Sequence, residues 1–181
     1  MKIVAFAASS SRASINKQLA GYALTLLDGV ETELLDLNDF ELPLFSVDCE
    51  AELGQPPAAR EFLERLQGAD GLIIALAEHN GSYTAAYKNL FDWMSRIQKK
   101  VYLDKKVVLL AAAPGAGGAR TVLAAAVGSF PHFGAEVVAQ LSVPRFAEVF
   151  DPVSRVLTDE VLADRLAVAM DSLKSALDTG E

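Results

Sequence analysis

Short apolar runs alternate along the chain with segments whose apolar residues recur at helical spacing. Residues 2–8, KIVAFAA, form a continuous apolar run of strand length, the pattern of a strand buried on both faces. Residues 14–27 follow with Ile15, Leu19, Tyr22, Ala23 and Leu26 at helical spacing, Ser14 as N-cap and Gly29 where a helix would stop. ETELLDL at 31–37 predicts a second, less buried strand. Residues 38–57 carry Pro43, Gly54, Pro56 and Pro57 and predict an irregular connection, a length that in a compact domain is often functional. The paired prolines then open a helix, AAREFLERLQ, that ends near Gly68. GLIIALA at 71–77 is a third strand, AEHNGSY at 77–83 a loop, and TAAYKNLFDWMSRI at 84–97 a helix. KKVVLLAAA at 105–113, the loop PGAGGAR, the helix TVLAAAVGSF and the strand AEVVAQLSV at 135–143 continue the alternation. The last helix, LTDEVLADRLAVAMDSLKSAL, sets Val161, Leu162, Leu166, Ala169, Leu173 and Leu177 near one face.

Strand–helix alternation repeated five times predicts an α/β fold, a parallel sheet with helices on both faces. Five units are too few for an eight-fold barrel, which takes about 250 residues. With 181 residues, no repeat and no linker, residues 1–181 are expected to form a single domain. Ligands of such sheets bind beyond the carboxyl ends of the strands. Attention therefore falls on loops 8–16, 77–83 and 113–119, the richest in Ser, Gly and Asn.

Composition narrows the partners. Hydrophobic residues make up 51% and charged residues 22%, ample for a core. No run of about 20 apolar residues predicts a membrane span, and KIVAFAA is too short for the apolar region of a signal peptide. A single cysteine, Cys49, excludes an internal disulfide and fits a cytoplasmic location. His79 and His132 are the only histidines, so no zinc-ligand spacing exists, and no metal site is expected. A net charge of -8 disfavours nucleic acid and anionic membranes. The charge is uneven, however: Lys2, Arg12 and Lys17 precede the first acid, Asp28. The N-terminal segment is where a phosphate would be comfortable.

The first loop, ASSSRASIN, concentrates donors in that segment. Its hydroxyls, the Arg12 guanidinium and the Asn16 amide surround the start of a helix, whose free N–H groups favour an anion. A cap and turn would need only Ser14, leaving Ser9, Ser10, Ser11 and Asn16 unexplained. Lys17 stands where a capping box would place Glu. Neither a Walker phosphate loop nor G-x-G-x-x-G is present, which argues against a nucleoside triphosphate and a conventional dinucleotide site. A serine-rich first turn suits a terminal monophosphate, and flavin mononucleotide carries one.

In the second loop, Asn80-Gly81 is a strong turn dipeptide, with Ser82 or Thr84 as cap of the next helix. Glycine would let backbone approach a flat ring. His79 reads either as a general acid or as a packing residue. The third loop, APGAGGAR, reads either as a glycine-rich turn or as a wall of small residues against a ring. On helix 84–97, Tyr87, Leu90, Phe91, Trp93, Met94 and Ile97 exceed one apolar stripe, which predicts deep burial or an interface.

Taken together, the three loops resemble the NADPH-dependent FMN reductase family of quinone, azo-dye and chromate reductases. Its first loop typically reads G-S-x-R-x-x-S-x-N; SSSRASIN matches with one residue fewer between Arg12 and Ser14. P-E-Y-N-x-S and L-K-N-x-x-D-W are matched by AEHNGSYTAAYKNLFDW, and S-P-G-x-x-G-G by APGAGGAR. Ala77, His79 and Ala113 stand where the family usually has Pro, Tyr and Ser. The similarity covers about the first 140 residues.

The resemblance implies a flavodoxin-like three-layer sandwich with a five-stranded parallel sheet of order 2-1-3-4-5. It implies that Ser9, Ser11, Arg12, Ser14, Ile15 and Asn16 hold the FMN phosphate. Glu78, His79, Asn80, Gly81 and Ser82 would border the flavin ring, and Pro114, Gly115 and Gly118 its other side. His79 and Tyr83 would shape the acceptor pocket, with no essential acid–base residue because the flavin carries the chemistry. The activity implied is hydride transfer from NADPH or NADH and ping-pong reduction of a quinone, free flavin or similar small acceptor. A homodimer around helix 84–97, or a tetramer, is also implied. A flavodoxin-type electron carrier that does not meet NAD(P)H, and a binding module without flavin, remain as alternatives.

Overall fold

The computed structural model describes residues 1–179. Strand β1 (Lys2–Ala8) leads through the serine loop to helix α1 (Ile15–Thr25), β2 (Glu31–Leu35), α2 (Val47–Leu53) and α3 (Pro57–Gln67). β3 (Gly71–Leu76) is followed by a small hairpin, β4 (Glu78–His79) and β5 (Ser82–Tyr83), and by α4 (Ala85–Ile97). β6 (Lys105–Ala112), α5 (Arg120–Ser129) and β7 (Ala135–Val143) complete the central pattern. The short α6 (Phe146–Val149), a second hairpin of β8 (Phe150–Asp151) and β9 (Val156–Leu157), and α7 (Glu160–Asp178) close the chain.

Five strands pair in the order β2-β1-β3-β6-β7, every pair parallel. Numbered among themselves, these strands run 2-1-3-4-5, the flavodoxin-like order. Both faces of the sheet are covered, which is why the inner strands β1, β3 and most of β6 read as unbroken apolar runs rather than alternating ones, while the edge strands β2 and β7 carry polar residues. Val4 and Phe6 of β1 pack with Phe62, Tyr87, Met94 and Val122 beneath α3, α4 and α5. Ile3 and Ala5 turn to the other side, with Leu19, Ala23, Leu166 and Leu173 of α1 and α7. Leu72, Ile73, Ile74 and Leu76 of β3 are fully buried, each such side chain contributing roughly 1.5–3 kcal/mol.

The structure corrects the sequence reading in the second strand and in segment 38–57, and it chooses between the two readings of α4. The second strand stops at Leu35, where Asp36 caps a 3₁₀ turn, Leu37–Asp39. Segment 38–57 is not irregular throughout, for α2 lies within it, capped by Ser46. No residue of α2 is buried, so no apolar stripe announced it. Finally, most of the apolar surplus of α4 is absorbed inside the chain. Tyr87, Leu90, Trp93 and Met94 are buried, and Phe45 packs edge-on to Trp93 at 5.0 Å. That surplus therefore does not by itself require a partner. Among the described residues, no helix is long and apolar enough to cross a membrane.

Candidate functional site at the carboxyl edge of the sheet

The loops after β1, β3 and β6 meet at one edge of the sheet, and side chains from the motif residues tie them together. Ala112, the last residue of β6, lies one step beyond the final β3–β6 pair, Leu76 with Ala111. The Asn16 side chain supplies what a longer β3 would have given: its Oδ1 accepts from the Ala112 N–H at 2.8 Å, and its Nδ2 donates to the Ala112 carbonyl at 3.0 Å. Thr84 caps α4 by accepting from the Tyr87 N–H, and its hydroxyl donates to the carbonyl of Ala8 at 2.9 Å. Glu78 accepts from the Val122 N–H at 2.8 Å. It thereby caps α5 from another loop, because the α5 cap position is Ala119, which has no side-chain acceptor.

Several of the expected site residues also carry bonds within the fold. Asn16 is 2% exposed and holds α1 to β6. The Glu78 carboxylate serves α5. Gly118 has φ of +60°, and a Cβ there would stand 2.3 Å from Ser142 Oγ and 3.1 Å from the Pro144 nitrogen. It faces the end of β7 rather than open space, and the Ser142 hydroxyl donates to its carbonyl. Ser9 is buried and accepts from the Ser11 N–H at 3.2 Å, closing the turn. Ser14 accepts from the Lys17 N–H, the N-cap role. Tyr83 directs its hydroxyl to Ser129 at 3.1 Å and stacks on Phe130. Burial raises its pKa despite the Ser129 bond, so it stays protonated near neutrality.

What remains exposed is a rim drawn from the same three loops. Ser10, Ser11 and Arg12 come from the first, and Arg12 has no ion pair or hydrogen bond among the described residues. His79, Asn80, Gly81 and Ser82 come from the second, where Asn80 and Gly81 both have positive φ, the signature of a tight hairpin turn. Pro114, Gly115 and Gly117 come from the third, and a Cβ at either glycine would meet nothing within 4 Å. Ile15 is half-buried, and its N–H, like that of Asn16, precedes the first intrahelical bond.

Ser10, absent from the strongest sequence candidates, opens onto a cleft of about 660 Å³ with Leu37, Phe40, Leu42, Ala86 and Leu90. Glu41, Leu42 and Pro43 wall it, in a segment held onto α4. Asn89 accepts from the Phe45 N–H at 2.8 Å and donates to the Pro43 carbonyl at 3.0 Å, and Trp93 Nε1 donates to the same carbonyl at 2.8 Å. The K-N-x-x-D-W pattern thus pins a strap onto α4, a role that only contacts some 45 residues distant in sequence reveal.

Residues 1–148 match the family model described as NADPH-dependent FMN reductase. The chain belongs to that family. All three motif loops lie within the matched residues. An NAD(P)H:quinone oxidoreductase of Solanum tuberosum is 30% identical over 125 residues, covering 67% of this chain and 63% of its own. The chain thus spans less than two thirds of that relative. An NADPH:quinone oxidoreductase of Arabidopsis thaliana is 29% identical over 188 residues, covering 97% of this chain and 91% of its own. Among solved structures, the flavoenzyme NAD(P)H:(acceptor) oxidoreductase FerB of Paracoccus denitrificans superposes with a TM-score of 0.77. The two are 23% identical, covering 98% of this chain and 97% of that one, a likeness of fold.

Proposed function

We propose that the chain is an FMN-dependent oxidoreductase that takes reducing equivalents from NAD(P)H. It delivers them to a quinone, free flavin or similar small acceptor by ping-pong exchange. The single observation that carries this reading is the edge where three loops, cross-tied by Asn16, Thr84 and Glu78, leave a rim of unengaged donors and bare glycines.

The residues fit the phosphate end of FMN. Among the described residues Arg12 is an unpaired cation, in a chain of net charge -8. Ser10 and Ser11 are exposed beside it, and the N–H groups of Ile15 and Asn16 point from the positive end of α1. An Arg–phosphate contact would be charge-assisted and planar. The open sides of Gly115 and Gly117 would let backbone approach a flat ring, and the 79–82 turn would offer its backbone from another loop. Bound FMN would supply the electron transfer itself. The protein's part is positioning: Asn16, Thr84 and Glu78 fix the loops, while His79 and the strap at 41–45 border the space left to an acceptor.

We read residues 1–181 as one domain, acting in the cytoplasm as a homodimer or a pair of such dimers. An apolar groove of Tyr83, Phe91, Phe130 and Phe133 along α4 supports the dimer. A visible spectrum of the purified protein followed by anaerobic titration with NADPH and NADH tests the function. Yellow protein bleached by either nucleotide is expected. Flavin that binds but resists both would favour the electron carrier, and failure to bind FMN would end both flavin readings.

A further inference from the structure

Beside the phosphate loop, a second groove of about 460 Å³ runs along α1. Residues 18, 21, 22 and 25 line one side, at helical spacing, and Phe150, Pro152 and Arg155 of the β8–β9 hairpin line the other. Tyr22, Leu34 and Phe150 give it flat apolar walls, with the Tyr22 and Phe150 rings edge-on at 6.4 Å. Its charges are Arg12, Lys17 and Arg155, and no acid lines it.

That charge pattern is unusual for this chain. Of its 16 lysines and arginines, only Arg12, Lys99, Arg155 and Arg165 lack both an ion pair and a side-chain hydrogen bond among the described residues. Two of those four face one groove. Arg12 is the cation given above to the FMN phosphate and Lys17 meets Asp36, so among the described residues Arg155 is the groove's own unpaired cation; with 24 acids available, it points to a second anion from outside the chain. Arg155 is also held with φ of +59°, a conformation rare for non-glycine residues. The nearest acid of its turn, Asp151, is engaged by the Val153 and Ser154 N–H groups and the Ser154 hydroxyl. These bonds hold the Asp151 carboxyl below its usual pKa. The groove therefore joins a flat apolar body to a cationic end, the chemistry of a nucleoside phosphate.

We propose that this groove takes the adenosine end of NADPH, with Arg155 on the ribose 2′-phosphate and the base against Tyr22 and Leu34. The inference rests on the NAD(P)H reading above and sharpens it. NADH lacks the 2′-phosphate, so the groove selects NADPH, as an arginine near the ribose does in other dinucleotide sites. Arg12 lies on both the groove and the phosphate loop, so the two sites are contiguous.

The test is calorimetric titration of the flavin-loaded protein with NADP⁺, NAD⁺ and 2′,5′-ADP. NADP⁺ and 2′,5′-ADP should exclude one another. Arg155→Ser should weaken both about tenfold, the loss of one charged hydrogen-bonding partner, while leaving NAD⁺ and FMN affinity unchanged. Arg155→Lys should restore part of the binding. Tyr22→Ala is the second variant and should weaken NADP⁺ and NAD⁺ alike. Unchanged NADP⁺ affinity in Arg155→Ser, or 2′,5′-ADP bound alongside NADP⁺, would overturn the proposal. None of these readouts needs turnover. Arg155-dependent NADP⁺ binding without flavin bleaching would sink the reductase reading alone, and bleaching independent of Arg155 would sink the groove alone.

Discussion

Asn16 shows how one side chain can stand in for a missing piece of strand. It takes both backbone groups of Ala112 where β3 has ended, in a spot sealed from water. Removing it would leave a buried N–H and C=O without partners, each costing about 1–3 kcal/mol. Asn16→Ala is therefore expected to lower unfolding free energy by about 2–4 kcal/mol, measured by urea denaturation. Ser11→Ala, on the exposed rim, should stay within about 0.5 kcal/mol. Equal losses in both variants would refute the division between frame and rim. From the sequence, both residues looked like phosphate donors, because type and spacing alone do not tell which way an amide points. Gly118 likewise carries a constraint that its position in a glycine-rich loop does not reveal. A side chain there would meet Ser142 and Pro144, so the fold itself asks for glycine.

At the scale of elements, α4 does more than cover the sheet. Its Asn89 and Trp93 hold the Pro43 carbonyl, and Arg96 pairs with Glu50 of α2 at 2.9 Å, so the strap and α2 ride on α4. Nothing on α2 is buried, so these polar ties are its main attachment. Asn89→Ala removes two of them. The expected result is faster hydrogen exchange and proteolysis across 41–53, with global stability lowered by only about 1 kcal/mol. Exchange unchanged in this segment would show that Phe45 on Trp93 suffices. The helix itself was legible from its apolar spacing, and of the two caps the sequence offered, Ser82 and Thr84, the structure uses Thr84. Its load was not, because the residues it holds lie far away in sequence and carry no periodic signal.

Across the whole molecule, charge is arranged at the borders of the apolar sheet. Glu33 of edge strand β2 meets Lys2 at 2.8 Å and Arg65 at 3.0 Å, and Asp36 meets Lys17. The Lys2 bond chiefly lowers the Glu33 pKa. For Asp36, burial pushes upward, but the Lys17 and Asn38 hydrogen bonds outweigh it and the pKa falls below the ordinary value. A carboxyl with a depressed folded-state pKa stabilises the fold above its unfolded value. That contribution disappears as pH drops through the folded one. Stability should therefore be insensitive to these groups above about pH 5 and fall progressively below about pH 4. Asp36→Asn should flatten part of that slope, which denaturation midpoints between pH 3 and 6 would show. A slope unaltered by the substitution would mean that other carboxylates dominate acid unfolding.

By itself the sequence determined the five parallel strands, the helices that cover them and the three loops at one edge. A strand buried on both faces must be apolar throughout, and a helix on a sheet must be apolar on one side, so both are written in local periodicity. Tertiary structure alone decided which polar motif residues face inward. Asn16, Thr84 and Glu78 bind backbone from distant loops, while Ser10, Ser11 and Arg12 stay open to solvent. It alone also brought Arg155 beside Arg12 and Tyr22. A hydrogen bond or a groove is a relation between residues far apart in the chain. No spacing records it, and only the folded packing sets whether a donor meets a carbonyl or is left for a ligand.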